Sequence, residues 1–106
     1  MHPILFIDTT DNKEIKVGLD VNGKKYLHDQ PVTRQKAQIV LPLIEKLLKE
    51  QNLTITDIKE ISVNEGPGSF TGIRVGLTIA NTLGFLLKIP INQKPIGELI
   101  NANYTK

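Results

Sequence analysis

The sequence predicts an α/β domain, one mixed β-sheet flanked by helices, with elements in the order βββαβαβα. Three observations carry this. Residues 3–29 read as short strands and contain Asn22-Gly23, the strongest hairpin signal in the chain. From Arg34 onward the apolar period changes from two to about 3.6, the helical value. Strand and helix then alternate, the mark of a mixed sheet rather than a purely antiparallel one. At 106 residues the chain is of one-domain length, read here as a single unit over 1–106.

Taken in order, residues 3–8 are an apolar run and read as a buried strand. Residues 9–13 are polar turn material. Over 14–20, Ile15, Val17 and Leu19 alternate with polar neighbours, as in a half-buried strand. Asn22-Gly23 returns the chain into a strand over 24–29 carrying Tyr26 and Leu27, which completes a three-stranded meander. Thr33 is the candidate N-cap of the next element, with Asp29 as its competitor. A helix over 34–51 has Ala37, Val40, Leu41, Ile44, Leu47 and Leu48 as its apolar set. Pro42 lies inside it and lacks an amide, so a kink or a frayed first half is expected. Residues 56–58 suggest a turn or one helical turn, and residues 61–64 a buried strand. Ile89-Pro90-Ile91 begins a short fifth strand, and a final helix starts at Pro95 and runs to the C-terminus.

The most informative stretch is Gly66-Pro67-Gly68-Ser69-Phe70-Thr71-Gly72 and the helix it launches, to about Leu87. Gly66 and Gly68 tolerate positive φ, Pro67 fixes its own φ, and Ser69 is placed to cap the helix. Arg74 is the only charge between Phe70 and Leu87. The helix is apolar nearly all round, where a surface helix carries a polar face. Gly72, Gly76, Ala80 and Gly84 recur every four residues and lie along one line of its surface. Glycines inside a helix cost roughly 1 kcal/mol each against alanine, so a close approach by another backbone should offset them. Two readings follow: packing on the chain's own sheet, or burial against the sheet on one side and a partner protein on the other. The second is preferred, since so small a chain has few elements to cover both sides. Arg74, Asn81 and several threonines argue against a membrane span.

Thirteen basic and eleven acidic residues leave a net charge of +2, too little to point to nucleic acid. The absence of cysteine excludes disulfides, thiolate catalysis and Cys-ligated zinc. The opening residues are too short and lack the basic start of a signal peptide, so a cytoplasmic location is expected.

The element order is that of one lobe of the ribonuclease H-like or actin-like (ASKHA) architecture, with a mixed five-stranded sheet. More specifically, the sequence resembles the TsaB (YeaZ) family of bacterial tRNA threonylcarbamoyladenosine synthesis. The matching residues are Ile4-Leu5-Phe6-Ile7-Asp8-Thr9-Thr10, then Gln38 with Leu41-Pro42-Leu43-Ile44, and above all Gly66 through Gly76. The resemblance runs over nearly all of the chain but covers only the first of the family's two lobes. It implies a non-catalytic scaffold that pairs with a TsaD-like catalytic paralogue, with a TsaE-like ATPase as a further partner. That assembly supports threonylcarbamoyl transfer onto a tRNA adenosine, and tRNA is contacted only indirectly. The family pairs through the helices of this lobe, with a partner or with a second copy. The expected interface is therefore Gly72, Ile73, Gly76, Ala80, Leu83 and Gly84, next to the motif turn Gly66, Pro67, Gly68, Ser69, Phe70 and Thr71. Arg74 is either a snorkelling side chain paired with a local carboxylate such as Glu65 or a contact at the seam between partners.

Enzyme signatures are weak. In the catalytic paralogue a helical histidine pair holds a metal, whereas Arg34-Gln35-Lys36-Ala37-Gln38 stands in its place here. His2 and His28 lack the spacing of a metal pair and read as exposed. Asp8 sits where actin-like folds place phosphate or magnesium, but the usual glycine is missing, and a strand-end Asp bonding turn amides is the simpler reading. The Gly66–Gly72 turn lacks the Walker spacing, though a helix N-terminus near Ser69 and Thr71 favours a weak anion site. Lys24-Lys25 read as solvated. No cofactor and no catalytic residue is expected. The alternative is a remnant actin-like ATPase or M22-type metallopeptidase, which would bind nucleotide or metal.

Overall fold

A computed structural model describes residues 2–104. The elements are β1 (Ile4–Asp8), β2 (Glu14–Val21), β3 (Lys24–Pro31), α1 (Lys36–Glu50), a single 3₁₀ turn (Ile55–Asp57), β4 (Glu60–Val63) and α2 (Phe70–Leu87). The four strands form one sheet in the order β3-β2-β1-β4. β1 and β2 are antiparallel, as are β2 and β3, with Asn22 and Gly23 both at positive φ in the connecting turn. β1 and β4 run parallel, with Leu5 opposite Ile61 and Ile7 opposite Val63. The mixed sheet follows from this connectivity: α1 carries the chain back across the sheet before β4, as a parallel connection requires.

Period-two alternation sends Leu5 and Ile7 of β1, Ile15, Val17 and Leu19 of β2, and Ile61 and Val63 of β4 into the core, where each is at most a few per cent exposed. α1 packs on β2 and β3, α2 on β4 and β1, and the two helices touch each other. Both helices therefore cover one face of the sheet. The other face holds an open groove of about 690 Å³ lined by Ile4, Phe6, Gly18 and Leu27 among others.

Several expectations are corrected. The fifth strand is reduced to one parallel bridge between Ile61 and Ile91. Beyond Ile91 the backbone turns away, with Asn92 and Gln93 at positive φ. The Asn92 side-chain amide takes over the pairing. Its oxygen accepts from the Val63 amide at 2.8 Å and its nitrogen donates to the Val63 carbonyl at 3.0 Å. The final helix from Pro95 does not form across the described residues; residues 105 and 106 lie outside them. Gly97 is at φ +94°, incompatible with a helix, and Ile100 is held instead by Asn81. α1 begins at Lys36 after Gln35, which makes no side-chain cap bond, so neither Thr33 nor Asp29 caps it. α1 also passes through Pro42 unbroken. Pro42 and Gln38 both face solvent, so water can satisfy the carbonyl that Pro42 leaves free. The buried face of α1 is Ile39, Val40, Leu43, Ile44, Leu47 and Leu48, whereas Ala37 and Leu41 are exposed.

Candidate functional site

The motif turn joins the end of β4 to α2 and is fastened to the end of β1. Gly66 takes φ +107°, and the Gly66–Pro67 peptide bond is cis. The Gly66 amide donates to Asn64 Oδ1 at 3.0 Å. Gly68 serves a different purpose from the one its position suggests: it is not at positive φ, and a Cβ there would sit 2.7 Å from Thr10 Cβ. Its bareness lets the turn lie against β1, where the Ser69 amide donates to the Thr10 carbonyl at 2.7 Å. Ser69 Oγ in turn accepts from the Gly72 amide at 3.3 Å and caps α2. Asp8, at the end of β1, accepts from the Thr10 amide (2.9 Å), Thr10 Oγ1 (2.7 Å) and Asn64 Nδ2 (3.1 Å). That is the strand-end arrangement, with the carboxylate committed to its own turn.

Thr9 is fully buried, and its hydroxyl enters the first turns of α2. It donates to the Gly72 carbonyl and accepts from the Gly76 amide at 3.0 Å. Those two backbone groups are one helical step apart, so the hydroxyl bridges a carbonyl and an amide that an ordinary helix would pair. A Cβ on Gly76 would lie 2.6 Å from that oxygen, and one on Gly72 would collide with the Thr9 carbonyl and Lys36 Nζ. Lys36 Nζ donates to the Thr9 and Asp11 carbonyls, both at 2.9 Å. Burial lowers its pKa, opposed by the charges of Asp11 and Asp8. The Asp11 carboxyl is held below its usual range chiefly by the Lys13 amide, which donates to it at 2.6 Å. Farther along α2, Gly84 receives the Ile91 side chain, and Ala80 is wholly buried.

This corrects the expected interface. Gly72 and Gly76 face this chain's own Thr9, Gly72 also Lys36, and Gly84 faces Ile91, while Ala80 and Ile73 are fully buried, so none of the five is available to a partner. Leu83 is half-buried against the core. The solvent side of α2 carries Phe70 (59 % exposed), Thr71, Arg74, Thr78, Thr82, Phe85 (76 %) and Leu86 (66 %). Phe85 and Leu86 were not among the residues the sequence singled out. The signal for them was present: they lie about half a turn from the small-residue line that is buried. Arg74 does not meet Glu65, whose carboxylate accepts from Asn92 Nδ2 at 2.8 Å. Its Nε donates to the Tyr104 hydroxyl at 3.1 Å, and its guanidinium lies 5.1 Å from the Phe70 ring centre. Phe70 and Tyr104 stack with ring centres 4.2 Å apart.

His2 pairs with Glu60 and His28 with Glu50, each at 2.6 Å. Among the described residues, no three His, Cys, Asp or Glu side chains gather as a metal site would need. By length and mean hydropathy (1.4) α2 is apolar enough to cross a membrane, although one-third of it is buried inside this fold.

Comparison with known proteins gives a consistent result. The family profile described as TsaD, tRNA N6-adenosine threonylcarbamoyltransferase, matches residues 28–93. The tRNA threonylcarbamoyladenosine biosynthesis protein TsaB of Escherichia coli K12 is 34 % identical over 88 residues, covering 83 % of this chain and 38 % of that protein. TsaB of Buchnera aphidicola subsp. Schizaphis graminum is 44 % identical over 90 residues, covering 83 % and 41 %. The solved structure of YeaZ from Pseudomonas aeruginosa superposes with a TM-score of 0.80 at 31 % identity, covering 86 % of this chain and 42 % of that one. The chain thus spans about two-fifths of the length of these relatives. With a match to the profile of the related TsaD enzymes, and with TsaB relatives and the YeaZ fold in agreement, the chain belongs to the TsaB (YeaZ) family.

Proposed function

We propose that this chain is a non-catalytic pairing subunit that supports threonylcarbamoyl transfer to a tRNA adenosine by a TsaD-type enzyme. One observation carries the reading: α2 has its inner line buried on the sheet and still exposes Phe70, Phe85 and Leu86 on its outer side. Large apolar side chains exposed at both ends of one helix side, Phe70 at its start and Phe85 with Leu86 at its end, mark a surface that is covered in the working assembly. A helix of this length is roughly 27 Å long and 10 Å wide. That footprint alone falls short of the ~800 Å² per partner of a stable interface. The pairing surface therefore extends over α1, whose outer side carries Leu41 (52 % exposed) and Pro42.

The partner is a TsaD-like paralogue, and a second copy of the chain takes its place when the protein is alone. A TsaE-like ATPase joins through the enzyme, and tRNA is reached only through the assembly. Both helices lie within the matched residues 28–93.

The test is solution mass by light scattering across a dilution series, with capture by a purified TsaD-type enzyme. A dimer persisting to low micromolar concentration, or capture by the enzyme, is expected. Phe85→Asp with Leu86→Asp should abolish either without changing the far-UV circular dichroism. A monomer at every concentration that the enzyme does not retain overturns the reading.

A further inference from the structure

We infer that residues 98–104 form a strap, closed over the motif turn and one flank of α2, that masks part of the pairing surface in the unpaired chain. The inference rests on the pairing reading above and adds a device that regulates it.

The strap has no regular secondary structure. It is fastened to α2 and the motif turn at three places. At the first, Asn81 reads the backbone of Ile100 as a strand would: its Oδ1 accepts the Ile100 amide at 2.9 Å and its Nδ2 donates to the Ile100 carbonyl at 3.0 Å. Ile100 itself is buried, whereas Leu99 beside it is 66 % exposed. At the second, the Asn103 amide donates to the Glu65 carbonyl at 2.7 Å, and the Asn103 carbonyl occupies the space that a Cβ on Gly66 would fill. At the third, Tyr104 stacks on Phe70 and receives the Arg74 hydrogen bond.

The third fastening engages Phe70 and Arg74, a ring and the charge at the N-terminal end of the outer face. It is exposed, with Phe70 59 % and Tyr104 41 % accessible. A segment without regular secondary structure, anchored by Ile100 and Ala102 and by side-chain hydrogen bonds, opens at lower free energy than the sheet and helices. A partner that covers Phe70 and Arg74 must displace Tyr104, and the strap then releases toward Ile100.

The chain contains no cysteine, which allows a direct test. In Ile100→Cys, the rate of thiol labelling reports opening of the strap. Slow labelling is expected, accelerated at least tenfold by Asn81→Ala. Tyr104→Ala is a milder second variant; it removes only a half-exposed side chain, so the fold persists. Light scattering on Asn81→Ala and Tyr104→Ala, with Ile100 intact, should show at least fivefold tighter association than the parent chain. Labelling that Asn81→Ala leaves unchanged overturns the strap. Faster labelling with unchanged or weaker association overturns the masking. No association of any variant, with itself or with a purified TsaD-type enzyme, overturns the pairing reading and the masking together.

Discussion

Thr9, Gly72 and Gly76 act as one unit. The hydroxyl can reach both backbone groups of α2 only because neither glycine carries a Cβ. Thr9→Val keeps the shape and removes the hydroxyl, so we expect urea denaturation to show a loss of about 1–3 kcal/mol, with Thr9→Ser closer to the parent. Gly76→Ala reverses the usual sign. An exposed helical site gains about 1 kcal/mol from this change. Here the added Cβ meets the Thr9 oxygen, and a loss of about 1–3 kcal/mol is expected from overpacking. The Asp11 carboxyl offers a pH test. Its folded pKa lies below the ordinary 3.8 because the Lys13 amide stabilises the charged form. Its contribution is therefore present above 3.8 and disappears as pH falls through the lowered value. Asp11→Asn still accepts the amide but cannot titrate, so its melting temperature should fall less steeply in acid.

At the scale of elements, α1 and α2 solve different problems. α2 buries its small residues together with Ile73 and Leu77, and turns Phe70, Phe85 and Leu86 toward solvent. A bulky residue on the inner line should accordingly damage the monomer. Gly76→Leu is expected to lose the cooperative thermal transition, whereas Phe85→Asp with Leu86→Asp should keep it and lose association. α1 tolerates Pro42 because the residue faces solvent and the helix continues through it. Pro42→Ala restores an amide to bond the Gln38 carbonyl. In dilute solution this should raise stability by about 1–3 kcal/mol, within the proline penalty for a helix interior. An unchanged melting temperature would mean that solvent already compensates the missing bond.

At the scale of the molecule, both helices cover one face of the sheet and leave the other open. Leu27 stands on the open face at 58 % exposure, above Gly18. Leu27→Lys should therefore shift stability by no more than about 0.5 kcal/mol, as surface changes do, whereas Leu47→Ala in the closed core should cost about 2–5 kcal/mol. Equal losses at the two positions would mean that Leu27 is covered in solution.

The sequence by itself determined what depends on neighbours along the chain. Asn22-Gly23 specified its hairpin, the alternation of Ile15, Val17 and Leu19 chose the core face of β2, and Ser69 located the start of α2. The spacing of Gly72, Gly76, Ala80 and Gly84 required a close approach, but it could not name what approaches. A helix pattern records burial, and a threonine hydroxyl of the same chain buries a glycine as effectively as a partner's backbone does. Only the tertiary structure set Thr9 against Gly76, replaced the fifth strand with the Asn92 amide, and drew Ile100 onto Asn81 in place of a final helix. Each of these joins residues distant in sequence through side chain-to-backbone hydrogen bonds, which leave no periodic trace.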